Sequence, residues 1–205
     1  VKSLDVDGIV FGDLAVYQLA KQKHMEQLLY YNPETLNTNT YDAFYWGKRG
    51  IKGLFIAKEI TLEDISLFHQ ESPIECAIIG HGHLNMFHSR RPLIENFFKY
   101  RDEKYEAYVN NRNLRLVEEI RNDSYPVFQD EHGTHIYRDK AMESYREINQ
   151  LEEHIDVFVI DAIFKDAVYL EETIKNYRLL LDTNNSKLAT ELSEQNQTDH
   201  DSGFL

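Results

Sequence analysis

The chain has 205 residues, 42% hydrophobic and 12% aromatic, which suffices for one core, so a single domain is expected. Its 35 acids against 22 Lys and Arg give a formal net charge of -13, which excludes a protein that coats nucleic acid or anionic lipid through bulk charge. No apolar run is long enough for a membrane span or a cleavable signal, so no membrane partner is expected, and a lone cysteine, Cys76, excludes an internal disulfide and points to a reducing cytoplasm.

The predicted elements alternate from the first residues on. Val1 lacks an initiator methionine before it, and Val6 to Phe11 runs straight into a strand ending at Gly12-Asp13, so the chain is expected to begin inside a larger unit. A helical window follows over 14–23, then a strand over 27–31, a loop at Pro33, a helix over 41–49 and a strand over 53–56. Thr61 starts a capped helix over 62–71, because its hydroxyl can accept from the first free backbone N–H groups, and a strand over 74–79 ends at Gly80.

The rhythm then breaks. The polar stretch 101–123 reads as a long solvated helix or an extended region, and 126–136 as a β-hairpin turning at Asp130 to Gly133, where glycine permits positive φ. A helix over 141–154, a strand over 157–160 and an amphipathic helix over 169–181 follow. Residues 184–205 are rich in Asn, Gln, Ser, Thr and acids and are expected to form a mobile tail.

Strands separated by helices of about ten residues indicate βαβ units and a parallel sheet. No Gly-x-Gly-x-x-Gly or Walker-type loop is present, so nucleotide binding has no motif behind it. The expected fold is α/β, an incomplete TIM-like (β/α) barrel lacking its first strands and carrying an inserted β-hairpin. In such a barrel chemistry sits where strands end, which selects Gly12-Asp13, Asn32 to Thr35, Ala57 to Glu59, Gly80 to His83, and Asp161.

The stretch Ile79-Gly-His-Gly-His-Leu-Asn-Met-Phe-His-Ser-Arg-Arg-Pro-Leu-Ile-Glu-Asn-Phe-Phe resembles the signature of peptidase family U32, the collagenase-like proteases. The matching positions are His81, Gly82, Ser89, Arg91, Leu93, Asn96 and Phe97. Val6 to Val16, Ala57 to Leu62, Tyr125 to Ile136, and Ile160-Asp161 with Tyr169 and Tyr177-Arg178 resemble further family segments in the family's order. Asn32-x-Glu34-Thr35, Tyr45 to Gly50 and Asp130 to His135 are most similar to the small members that modify tRNA to 5-hydroxyuridine. The resemblance implies that residues 1–183 are the C-terminal part of a U32-type barrel domain. It also implies a part in prephenate-dependent 5-hydroxylation of the tRNA wobble uridine. Two alternatives stay open: a collagenase-like, metal-dependent peptidase, and a non-catalytic partner of a longer cysteine-bearing paralogue.

The family's cluster-binding members carry cysteines where this chain has Asn85 and Pro92, so no iron–sulfur cluster is expected and no other cofactor is implied. The family's Lys-Ile-Glu-Gly strand becomes Val159-Ile-Asp-Ala here, keeping an acid at Asp161.

Among individual residues, His81, Glu34 and Asp161 are the catalytic candidates, as groups at strand ends whose burial would tune a general acid or base. Glu59 is in the same class. Arg91, Ser89 and Asn32 are candidates for binding a small anionic ligand, since the guanidinium fork matches a carboxylate or phosphate. His81, His83 and His88 are weaker candidates for zinc or manganese, because imidazoles two apart on an extended segment point the same way. Clustering by chance among nine histidines explains the same pattern. Ser89 has no Gly-x-Ser-x-Gly elbow, and Cys76 sits in an apolar strand, where an inert buried thiol is expected. Tyr45-Trp46 beside Lys48-Arg49 reads either as a base-stacking patch or as a helix face packed on the core. Asn85 to Arg121 holds eight Lys and Arg against six acids, and Lys48, Arg49, Lys52 and Lys58 form a second island, so contact with tRNA at particular loops is compatible with the acidic whole.

Overall fold

The computed structural model describes residues 5–104, 109–120 and 123–205. Five short parallel strands form one sheet: β1 (Ile9–Phe11), β2 (Leu29–Tyr31), β3 (Gly53–Phe55), β4 (Glu75–His81) and β10 (Val157–Ile160), in the order β1-β2-β3-β4-β10. Each strand up to β4 returns beside the last through a helix: α1 (Leu14–Gln22), α2 (Thr40–Gly47) and α3 (Leu62–Glu71). Side chains fix these helix starts. Asp13 accepts from Ala15 N at 2.8 Å, Asn39 from Tyr41 N at 3.0 Å, and Thr61 from Asp64 N at 3.3 Å, each satisfying an N–H that the helix leaves free.

Strand alternation divides the core into two faces. Leu54, Cys76 and Ile78 point toward the helices and pack with Ile65 and Phe68, while Tyr30, Phe55 and Ala77 point the other way, beside Ile79, Val157 and Val159. Near β1 a third cluster surrounds the buried Trp46 with Phe11, Tyr17, Leu29 and Ile51. Trp46 is therefore a core residue, and only the neighbouring exposed Tyr45 carries a cation, with the Arg49 guanidinium 3.4 Å from its ring centroid.

Between β4 and β10 a second layer is inserted. The expected hairpin is present as β7 (Ser124–Asp130) and β8 (Gly133–Tyr137), but it is the centre of a four-stranded antiparallel sheet, β5-β8-β7-β6, completed by β5 (Asn85–Ser89) and β6 (Arg115–Val117). Helix α4 (Leu93–Tyr100) covers one face of it. Pro92 at the start of α4 has no side-chain acceptor, and the hairpin supplies it: Thr134 Oγ1 accepts from Leu93 N and Gln129 Oε1 from Ile94 N, both at 2.9 Å. The polar stretch 101–123 contains turns and β6 rather than a long helix; residues 105–108 and 121–122 lie outside the described ones.

Two expectations are corrected. The helix expected over 141–154 is a two-residue strand β9 (Ala141–Met142) and a short helix α5 (Ile148–Glu152), because Met142 exchanges two backbone hydrogen bonds with Gly82, both at 2.9 Å, which a helix could not do. The segment expected as a mobile tail is folded onto the domain. Helix α6 (Ala167–Thr183) ends at Asn184 in the left-handed conformation, φ 48°, and α7 (Ser186–Gln195) starts at once, with Asn185 accepting from Leu188 N. Strand β11 (His200–Asp201) then pairs in parallel with β9, and Ala189 and His200 are buried. The composition is that of a polar tail, yet its few apolar groups find partners in Tyr145, Ile148, Tyr177 and Leu180. Among the described residues no helix is long and apolar enough to cross a membrane.

Candidate functional site

At the C-terminal ends of the parallel strands lies a cavity of about 210 Å³ lined by Asn32, Glu34, Phe55, Ile56, Lys58, Ile79, His83, Asn85, Tyr137 and Asp161. This is the end at which strand-to-helix loops converge in parallel sheets. Asn32 and Glu34 follow β2, Lys58 follows β3, His83 follows β4 and Asp161 follows β10, while Asn85 and Tyr137 descend from the antiparallel layer. Four of the candidate residues singled out in the sequence thus meet, Asn32, Glu34, His83 and Asp161, with Lys58 from the selected strand end at 57–59.

Local geometry holds each in place. Asn32 Oδ1 accepts from Glu34 N at 3.0 Å, and Glu34 sits at φ 70°, a left-handed conformation that costs a non-glycine residue about 1 kcal/mol or more. Asp161 N donates to the His81 carbonyl at 2.8 Å, and Asp161 Oδ1 accepts from Ile163 N at 2.9 Å. The Lys58 ammonium donates to the Asn85 carbonyl, bringing a cation between the two carboxylates' elements. Gly82, at φ 124°, lets β4 and β10 close on the site, since a Cβ there would lie 2.2 Å from the Asp161 carbonyl oxygen.

His83 has the most directed chemistry. Its Nδ1 donates to the Arg138 carbonyl at 2.9 Å, which leaves Nε2 with the lone pair. Burial lowers its pKa, so the ring is neutral near pH 7 and can accept a proton; the Arg138 carbonyl opposes part of that shift. Tyr137 is pushed up to about 12 by burial, with the charges of Asp161 and Glu34 adding, so it stays a phenol and a hydrogen-bond donor.

His81, expected as a catalytic group, is not in the cavity. The pairing of β4 with β10 shifts between Val159 and Ile160, so that Val159 faces Ile79 but Ile160 faces His81. This bulge turns His81 to the helix side of the sheet, where it is 1% exposed. Both ring nitrogens are engaged there, Nδ1 with Tyr177 at 3.0 Å and Nε2 with Tyr169 at 2.7 Å. Ser144 N donates to the Tyr177 oxygen at 2.9 Å, so the Tyr177 hydrogen goes to His81 Nδ1; His81 Nε2–H then donates to Tyr169, and Tyr169 to His200 Nε2 at 2.8 Å. Burial is the first cause, and the nearby His200, Lys165 and His83 the next, of a His81 pKa lowered to about 3.

The other expected residues are dispersed. Ser89 Oγ accepts from Arg91 N at 3.2 Å and has no imidazole partner, and Arg91 is exposed in the turn before α4, with no ion pair to Glu34, Glu59 or Asp161. Glu59 is exposed outside the cavity. His88 stacks on His135 in the antiparallel layer. The three metal candidates therefore diverge, and among the described residues no group of three or more His, Cys, Asp or Glu is placed to hold a metal. Asn85 lines the cavity and Pro92 begins α4, so the donor set does not fit a cluster held by thiolates at those positions. Cys76 is buried in β4 with its thiol pushed up to about 11, chiefly by burial. Sequence reasoning missed Tyr137 as a site residue, and it placed Lys58 and His83 in strand-end segments without giving either an acid–base role, His83 being named as a metal candidate.

The family model described as "Peptidase family U32" matches residues 1–205. The chain belongs to peptidase family U32. Within that family, this U32 chain is 34% identical over 180 residues to tRNA hydroxylation protein P2 of Bacillus subtilis, covering 86% of this chain and 58% of that protein. It is 21% identical over 226 residues to tRNA hydroxylation protein P of Escherichia coli, covering 89% and 50%. A Methanocaldococcus jannaschii protein named as an uncharacterized protease is 24% identical over 188 residues, covering 88% and 45%. The U32 chain thus spans about half the length of the curated relatives it matches. No solved structure matches it.

Proposed function

We propose that this U32 chain takes part in the 5-hydroxylation of tRNA uridine, at the wobble position and with prephenate as the family branch implies. The observation that carries the reading is the 34% identity to a protein named for tRNA hydroxylation, extending over 86% of the chain and so over the strands that build the cavity. The five parallel strands in sequential order support a (β/α) barrel of which this chain is the larger part, with the cavity at the mouth.

The cavity suits a pyrimidine. Phe55, Ile79 and Tyr137 offer apolar walls, and the Asn32 and Asn85 amides offer donors and acceptors for a uracil edge. Replacing the C5 hydrogen by hydroxyl removes two electrons and adds an oxygen atom, both of which come from an oxidant that enters as co-substrate, while the C5 proton leaves to a base. The groups lining the cavity are acids, bases and hydrogen-bonding groups, so their part is to bind the base and to move protons. His83 Nε2 is the base for the C5 proton, Lys58 faces an anionic co-substrate, and Glu34 and Asp161 orient the ligand. Ser89 without an imidazole gives the peptidase reading no nucleophile pair.

Nucleoside mass spectrometry on tRNA from a deletion strain tests this. Loss of 5-hydroxyuridine derivatives, restored by the wild-type gene, is expected, and unchanged levels would remove the reading.

A further inference from the structure

The antiparallel sheet has two unlike faces. Val127, Thr134 and Ile136 lie under α4, and the register places the alternate residues on the opposite side: His88 pairs with His135, and His135 with Phe128. These three form one row across β5, β8 and β7. The two imidazoles are stacked, with centroids 4.5 Å apart and planes 14° from parallel. His88 is exposed, and β5 is the edge strand, so no further strand continues the row beyond it. One step along the same face, Tyr137 and Asn85 are paired and line the cavity. The row therefore leads from solvent to the site.

Two cations follow the exposed end of this row, while on its inner side Asp130 lies 3.9 Å from His135 Nε2. Arg90 and Arg91 follow β5 directly and are exposed, and neither guanidinium pairs with a carboxylate among the described residues. Lys99 and Arg101 in the same island are already paired, with Glu95 and Glu103.

We propose that the His88–His135–Phe128 row is a stacking platform for unpaired RNA nucleotides, with Arg90 and Arg91 holding the adjoining phosphates and the cavity receiving the next base. Stacking on flat rings needs a base freed from pairing, and every base offers such a face, so the platform selects single-stranded loops over duplex. The proposal rests on the tRNA reading and specifies how that substrate is held.

Fluorescence anisotropy of the full chain with a labelled RNA hairpin carrying an unpaired loop, and with a duplex of equal length, tests it. The hairpin is expected to bind tighter. H88A is expected to lose roughly tenfold in hairpin affinity, and H88F to restore it, since a phenyl ring offers a flat face for stacking. Replacing Arg90 and Arg91 by Gln is expected to flatten the salt dependence by about 0.7 in log-log slope for each phosphate that is no longer neutralised. Equal affinity of wild type and H88A, or duplex bound as tightly as hairpin, overturns the platform. In the deletion strain, wild type and H88A restoring hydroxylation equally overturns the platform alone, whereas failure of wild type itself overturns the tRNA reading.

Discussion

His81 Nε2 lies 2.7 Å from the Tyr169 hydroxyl, and that bond ties the end of a central strand to a helix 88 residues further along the chain. The bond requires a neutral imidazole, because a protonated ring would also donate from Nδ1, where it must accept from Tyr177.

Acid is therefore expected to loosen the fold. The His81 pKa is about 3 in the folded chain against an ordinary 6.5, so the unfolded chain binds the extra proton first. Stability from this group is intact above pH 6.5 and is lost as pH falls from 6.5 toward 3, at up to about 1.4 kcal/mol per pH unit. Urea unfolding at pH 7 and pH 4.5 should show the midpoint falling in the wild-type protein and falling less in His81→Phe.

Tyr177→Phe should destabilise by about 1–3 kcal/mol, because it orphans both the Ser144 N–H and His81 Nδ1 in the core. An unfolding midpoint within error of wild type would show that the two groups find other partners.

Gly82→Ala meets the Asp161 carbonyl at 2.2 Å and a φ that alanine resists. We expect lower stability and, on the proposed function, loss of tRNA hydroxylation with it, and a crystal structure of any folded variant should show β4 and β10 parted at the cavity.

His83→Ala should leave the fold intact and reduce 5-hydroxyuridine by at least about tenfold, the low side of what removal of a general base costs. Normal hydroxylation with the variant would overturn the proposed base role of His83.

Cys76 should resist alkylation by iodoacetamide at pH 8 in the folded chain and react once urea exposes it, since burial holds the thiol near 11. Rapid labelling of native protein would contradict its burial.

The parallel strands were legible because each is an apolar run closed by glycine or by a polar turn, and the strand-end rule found Asn32, Glu34 and Asp161. The sequence pattern read β9 as the start of a helix and β11 as part of a tail, because their two residues each are set by pairing with one another and with Gly82 rather than by any local periodicity. His200 illustrates why the last 22 residues looked unstructured: it is polar by composition, yet it is buried through a hydrogen bond to Tyr169 that only the tertiary fold supplies. The bulge at Gly80 sets the face of His81, and Gly82, at φ 124°, breaks the extended alternation between His81 and His83, so two histidines two apart lie on different sides, which their spacing alone could not show.

That bulge has a consequence for comparing U32 proteins. A one-residue insertion or deletion beside Gly80 would change which face His81 takes, so columns matched letter for letter through this strand end can equate side chains on opposite sides of the sheet. Functional equivalence across the family is better judged here by pairing partner, Ile160 to His81, than by position in the string.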